Sequence, residues 1–238
     1  MNPVAIFRHS PTEGPGYFAI FLESRRIPWA LIPLDAGANV PESADAWSGL
    51  CFMGGPMSVN EDLPWIAPAC ALIRDAIKKD IPVLGHCLGG QLISKALGGV
   101  VSRNPVPEIG WSVLDGGADA VSRRWLGGYA GRMLDVFQWH GETFSLPEGA
   151  TLIAKNACCA HQIAALGPHL ALQCHVEMLA EMIDDWCAHW QEEVAPTPLP
   201  SVQTPERIRA ELPEKLPVLR RVADQLYGAW VSGLGGGA

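Results

Sequence analysis

The sequence predicts an α/β fold, a mostly parallel open sheet with helices on both faces. Short apolar runs of strand length alternate with longer amphipathic stretches, the order expected of βαβ units. Two of those runs end in glycines, Met53-Gly-Gly-Pro56 and Leu84-Gly-His-Cys-Leu-Gly-Gly90, and a helical pattern follows the second at once. The composition, 48% hydrophobic and 18% charged over 238 residues, is that of a globular chain with a sizeable core.

The elements follow in chain order. The apolar run Val4–Phe7 opens the sheet, and the amphipathic stretch Gly16–Arg25 follows it. Strands are next expected at Leu31–Leu34 and Gly49–Met53, then a helix over Ala67–Lys79 and a strand over Ile81–His86. In Leu88–Leu97 the residues Leu88, Leu92 and Ala96, with Ile93 and Leu97, fall on one face, and Gly98-Gly99 ends the helix. The region Trp111–Trp139 holds two candidate strands around a polar, glycine-rich stretch. Strands at Leu152–Lys155, Gln162–Leu166 and Leu170–His175 complete the sheet, with a helix over Glu177–Gln191. Residues 1–193 are thus expected to form one domain, and residues 194–238 a connector and C-terminal helix packed on it. Ala195–Pro200 reads as extended proline-rich chain. Leu216, Leu219, Val222, Ala223, Leu226, Tyr227 and Trp230 mark one face of a packing helix, and the glycine-rich end is expected to be disordered.

Charge and cysteine content exclude several classes. A net charge of -8 argues against a nucleic-acid partner, which demands a basic face. No apolar run is long enough for a membrane span and no signal peptide opens the chain, so a soluble cytoplasmic protein is expected. Seven cysteines cannot form a complete disulfide framework. Cys51, Cys70 and Cys187 sit in apolar surroundings and read as inert buried thiols. Cys158-Cys159-Ala-His161 and Cys174-His175 lack the spacing of a zinc site, so no metal is expected, and no other cofactor.

The chemistry concentrates at Ile81-Pro-Val-Leu-Gly-His-Cys-Leu-Gly-Gly-Gln91. Gly-x-Cys-x-Gly between a strand and a helix has the form of a nucleophile turn. It lifts Cys87 above the sheet, where the N-terminal helix dipole and free N–H groups favour a thiolate. His175, at the end of its run, lies on the same carboxyl edge of a parallel sheet and can serve as base, with Glu177 fixing its tautomer. Gly54-Gly55 lets backbone N–H groups approach a developing oxyanion. The donors expected are the N–H of Gly55 and of Leu88. His9 reads as a capping or loop histidine near the same edge.

Gly85-His-Cys-Leu-Gly-Gly-Gln91, Met53-Gly-Gly-Pro56, Gln138-Trp-His-Gly-Glu142 and Cys174-His-Val-Glu177, in this order, resemble class I (triad-type) glutamine amidotransferases. The resemblance covers roughly residues 1–193 and is nearest to stand-alone members related to the glutaminase domain of GMP synthetase. It implies a three-layer α/β/α fold, a catalytic triad of Cys87, His175 and Glu177, and an oxyanion hole at Gly55 and Leu88. It further implies substrate contacts from Gln91 and from His140, Gly141 and Glu142, with Glu108 as a partner for the substrate amino group. Three positions depart from the family pattern. His86 replaces an aliphatic residue and puts an ionisable group beside the nucleophile, Gly90 replaces histidine, and Val176 replaces proline and loosens the turn holding Glu177.

The activity expected is hydrolysis of the γ-glutamyl amide of glutamine, or of a related γ-glutamyl compound, through a glutamyl thioester. The partner is then a small molecule. The alternatives are a glutaminase subunit delivering ammonia to a separate synthetase, and a non-catalytic interaction protein on the same fold. No phosphate-binding loop of the Gly-x-x-x-x-Gly-Lys-[Ser/Thr] form occurs, so an ammonia acceptor would belong to another chain.

Overall fold

The computed structural model describes residues 1–189 and 199–235. Most of the connector expected over Ala195–Pro200, the last two residues of the helix expected over Glu177–Gln191, and the final three residues lie outside them.

A nine-stranded sheet runs through the molecule in the order β2-β1-β3-β4-β9-β8-β7-β5-β6. Strands β1 (Val4–Arg8), β2 (Trp29–Pro33), β3 (Gly49–Phe52), β4 (Val83–His86) and β9 (His169–Leu172) are parallel. Strands β8 (Ile163–Leu166), β7 (Thr151–Lys155), β5 (Val101–Gly116) and β6 (Met133–Phe144) extend it antiparallel. Side chains alternate between two cores, as period-two geometry requires. Val4, Ile6, Cys51, Leu84, Leu170 and Leu172 face one core; Ala5, Phe7, Leu50, Phe52, Val83 and Ala171 face the other. Helices α2 (Ile66–Lys78) and α3 (Leu88–Ala96) cover the second core. The first is covered by α1 (Gly16–Ser24), α4 (Ala120–Leu126), α5 (Ala180–His189) and α6 (Pro205–Val231), completing three layers. Among the described residues no helix is long and apolar enough to cross a membrane.

Three expectations are corrected. The run Leu170–His175 is strand only to Leu172. His175 is held instead by an isolated antiparallel bridge to Phe137, with N–H···O distances of 2.8 and 3.2 Å. The helix expected from Glu177 begins at Ala180, because the intervening backbone serves other partners: the Glu177 carbonyl accepts the Tyr17 N–H at the start of α1 (2.7 Å). The C-terminal helix begins eleven residues before Leu216, capped by Thr204, whose hydroxyl accepts the Arg207 N–H at 3.3 Å. Pro213 and Pro217 lie inside it, both exposed on the solvent side. The carbonyls that lose their intrahelical donors to these prolines can therefore be hydrated.

Candidate active site

The turn from β4 into α3 has no spare residue. His86 ends the strand, Leu88 starts the helix, and Cys87 between them adopts φ 47° and ψ −105°, a conformation L-residues rarely take. Its N–H donates to the Leu172 carbonyl at 2.8 Å, binding the turn to β9. Small neighbours are obligatory. A Cβ at Gly89 would collide with the Phe52 carbonyl, one at Gly85 with the Gly89 backbone, and one at Gly90 with the Leu172 carbonyl. The last contact explains glycine where the family commonly has histidine.

Because β4 and β9 pair in parallel, with His86 opposite Leu172, both chains leave the sheet at the same edge. The segment after β9 therefore passes Cys87. Gln173 donates from Nε2 to the Cys87 sulfur (3.5 Å) and accepts from Gln91 Nε2 at its Oε1 (3.2 Å). Two residues on, the buried His175 ring stands edge-on to Trp186, with centroids 5.0 Å apart. Nδ1 donates to Glu177 Oε1 at 2.6 Å, while Nε2 has no hydrogen-bond partner among the described residues. Burial works against charge on this imidazole, but the Glu177 carboxylate and the Cys87 sulfur outweigh it and hold its pKa well above the usual value. For Glu177, burial acts upward, yet His175 and His86 prevail and lower its pKa to about 2. Its second oxygen accepts the Val176 N–H at 2.9 Å.

His86 faces away from the sulfur, contrary to expectation. In a strand its side chain points opposite to that of the next residue, and it enters the first core. There Nε2 lies 2.9 Å from the Tyr227 hydroxyl and 3.8 Å from Glu177 Oε2. Burial lowers its pKa to about 4, so it is neutral near pH 7.

Cys87, Gln91, Gly55, His140, Gly141, Glu142 and His175 all line one cleft of about 460 Å³. Trp139 and Trp186 form its aromatic wall, 5.7 Å apart and edge-to-face. Glu177 lies one layer behind His175, and Leu88 is packed against Gly55, where a Cβ would meet the leucine side chain. Among the described residues the N–H groups of Gly55 and Leu88 have no protein acceptor. Glu13, Glu61 and Glu142 also line the cleft, and no lysine or arginine does among the described residues.

Glu108 lies outside the cleft, against the expectation that it meets the substrate. Its carboxylate accepts from Asn156 Nδ2 (2.6 Å) and Gln162 Nε2 (2.7 Å) and sits 3.1 Å from His140 Nε2. Nδ1 of His140 donates to the Glu142 carbonyl at 2.9 Å, so Glu108 fixes the wall from behind. Glu108, His140 and Cys159 bring donor atoms within 4.8 Å of one another, a grouping that sequence spacing concealed. Each already has protein partners, Cys159 pairing with the Thr143 hydroxyl at 3.2 Å. All seven cysteines are free thiols, and burial raises Cys51 and Cys174 well above the usual thiol range.

The sequence reading passed over Gln173 and Glu13. Gln173 had a signal: it precedes His175 by two, the spacing that keeps side chains on one face of an extended segment. Glu13 had none, since only the folded chain brings it beside Gly54 and the His175 ring.

The family model "Glutamine amidotransferase class-I" matches residues 21–185. The chain is 32% identical over 195 residues to the glutamine amidotransferase-like protein YfeJ of Salmonella typhimurium, covering 79% of this chain and 80% of YfeJ. It is 29% identical to gamma-glutamyl peptidase 3 of Arabidopsis thaliana, covering 71% of each. It is 33% identical to GMP synthase of Wolinella succinogenes over 55% of this chain but 25% of that enzyme. The crystal structure of a glutamine amido transferase from Methylobacillus flagellatus superposes with a TM-score of 0.94 at 41% identity, covering 98% of this chain and 96% of the other. The chain belongs to the class-I glutamine amidotransferase family.

Proposed function

We propose that the protein hydrolyses the γ-glutamyl amide bond of glutamine or a γ-glutamyl compound, with Cys87 as nucleophile, His175 as acid and base, and Glu177 as orienting carboxylate. The observation that carries this is the meeting of the strained Cys87 turn with the His175–Glu177 pair in one cleft. The Cys87 thiol gives its proton to His175 Nε2 and its sulfur attacks the side-chain carbonyl carbon. The resulting oxyanion accepts hydrogen bonds from Gly55 and Leu88. His175 Nε2 passes its proton to the departing nitrogen, the C–N bond breaks, and a glutamyl thioester remains. Water then adds to the thioester and gives its proton to His175; the C–S bond breaks and His175 returns that proton to the sulfur, releasing glutamate and the free thiol. Gln91 and the His140-Gly141-Glu142 segment hold the glutamyl part, and the acidic residues of the cleft suit its α-ammonium group.

Gamma-glutamyl peptidase 3, similar over 71% of the chain, favours a γ-glutamyl peptide as the donor. The match to GMP synthase favours a second reading, delivery of ammonia to a separate synthetase chain. One assay separates them. The purified protein is incubated alone with glutamine, γ-glutamyl amines and γ-glutamyl peptides, and released amine is measured. Turnover of at least one substrate is expected. Silence toward all of them, with activity appearing only on addition of a synthetase, would establish the second reading instead. Cys87→Ala should abolish turnover, whereas Cys158→Ala and Cys159→Ala retain most of it. A γ-glutamyl chloroketone should label Cys87, and labelling of Cys174 in its place would overturn the assignment.

A further inference from the structure

His9 follows β1 and is almost wholly buried, its ring tilted against Trp65 (centroids 4.7 Å apart) and stacked near Phe52 (6.4 Å). Its Nδ1 lies 3.1 Å from the Met53 carbonyl oxygen and 3.3 Å from that of Gly54. Both partners are acceptors, so Nδ1 carries the proton and donates to the pair. Nε2 is then a bare acceptor, and it has no partner among the described residues. A buried histidine whose hydrogen bonds among the described residues grip two successive carbonyls is doing something to that backbone.

The Gly54 carbonyl and the Gly55 N–H belong to one peptide unit. In a planar trans peptide they point in opposite directions, and no cis peptide bond occurs among the described residues. Holding the Gly54 oxygen toward His9 therefore turns the Gly55 N–H the other way. Two consecutive glycines give this unit little intrinsic preference, because each accepts backbone angles closed to other residues. With the Gly54–Gly55 peptide rotated by half a turn, the same position would present a carbonyl oxygen and repel an oxyanion.

We infer that His9 is a positioning residue that locks the Gly54–Gly55 peptide with its N–H directed at the oxyanion site, so that the hole is formed before substrate binds. The inference rests on the hydrolase reading above, which assigns the Gly55 N–H to the oxyanion. His9 touches neither substrate nor reacting atoms; it acts through the peptide it holds. Burial lowers its pKa to about 4, which keeps the ring neutral through the physiological range.

The test compares His9→Phe, which keeps an aromatic ring beside Trp65 and lacks the donor, with His9→Asn, whose amide can place an N–H near the position of Nδ1. His9→Leu serves if the phenylalanine variant does not fold. Loss of one oxyanion donor lowers kcat by about 100-fold or more, so His9→Phe should lose roughly that factor, with KM changed less than about twofold. His9→Asn should recover most of kcat. Alkylation of Cys87 by iodoacetamide is a displacement that builds no oxyanion, and its rate should be unchanged in all variants. The inference fails if His9→Phe keeps kcat within about threefold, if His9→Asn is as impaired as His9→Phe, or if alkylation slows in parallel with kcat. A second arm needs no turnover: crystal structures of the wild type and His9→Phe. A Gly54–Gly55 peptide flipped or split between two orientations only in the variant is expected, and an unchanged peptide overturns the inference. A flipped peptide in a protein whose wild type cleaves no γ-glutamyl substrate would uphold the lock and refute the hydrolase reading.

Discussion

Between His175 and Glu177 this chain carries Val176 where the family usually has proline, and the exchange alters how the carboxylate is held. Proline has no N–H, whereas the Val176 N–H donates to Glu177 Oε2 at 2.9 Å. The turn expected to be looser is tied instead by a charge-assisted bond inside a fully buried site. Such a bond contributes about 1.5–3 kcal/mol. Val176→Pro should therefore lower stability by about that amount, seen as a lower denaturation midpoint. An unchanged midpoint would show that the bond is dispensable. Glu177→Gln should be milder than His175→Ala in kcat, because the proposed mechanism has Glu177 orient the imidazole and His175 transfer the proton. Equal losses would mean that orientation is not its role. At this scale the placement of the candidate residues was largely legible. The Gly-x-Cys-x-Gly spacing and the later His-x-Glu lead to residues that share a site, since turn chemistry and strand direction are local. The direction of His86 was misread despite its adjacency to Cys87, because adjacent strand residues face opposite ways. Its partner Tyr227 lies 141 positions further along the chain, beyond any local pattern.

At the scale of the element, α6 behaves as part of the site's foundation. Its Leu219, Val222, Ala223, Leu226, Tyr227 and Trp230 are buried in the first core, and the Tyr227 ring meets Phe18 of α1 at a tilt and Phe21 edge-on. The Tyr227 hydroxyl reaches His86, and His86 lies beside Glu177, so a polar contact runs from the C-terminal helix to the carboxylate. Tyr227→Phe keeps the packing and strands His86 Nε2 in the core. It should cost about 1–3 kcal/mol of stability, measured by urea denaturation, and a variant as stable as wild type would show the hydroxyl to be idle. The face of this helix from Leu216 onward was readable from its apolar spacing. Its first three turns were not, since Pro213 and Pro217 read as breakers and only their solvent-facing placement makes them tolerable. The same limit applied to β5 and β6: their pairing around a seven-residue α4 depends on partners across the sheet, not on their own glycine-rich composition.

For the whole molecule, three buried histidines with lowered pKa values make stability fall in acid, while His175, with its raised pKa, contributes stability that is lost as pH rises through that value. His9, His86 and His169 all have pKa values lowered to about 4, burial being the main cause. Between about pH 6.5 and 4 the unfolded chain takes up protons at these positions and the folded chain does not, so stability falls as pH falls through that window. Each fully buried histidine contributes a slope of about 1.4 kcal/mol per pH unit there. Glu177 adds to the loss only below its unfolded value, between about 4.5 and 2. Urea midpoints should be lower at pH 5 than at pH 7, with a shallower dependence in His86→Leu; a flat profile in the wild type would be inconsistent with neutral buried rings. Layering and strand direction were legible in the sequence because they follow from periodicity. The antiparallel extension beyond β9 was not, because nothing local distinguishes a parallel neighbour from an antiparallel one. The charge of the cleft bears on the end of the catalytic cycle. In the proposed hydrolysis of glutamine the substrate is a zwitterion of no net charge, whereas the product glutamate carries an additional negative charge. A cleft edged by Glu13, Glu61 and Glu142, without lysine or arginine among its described lining, discriminates between the two. It tolerates the reactant and repels the product, so turnover of glutamine would clear its own pocket. Glutamate should then be a poor inhibitor at low ionic strength and a better one as added salt screens the carboxylates.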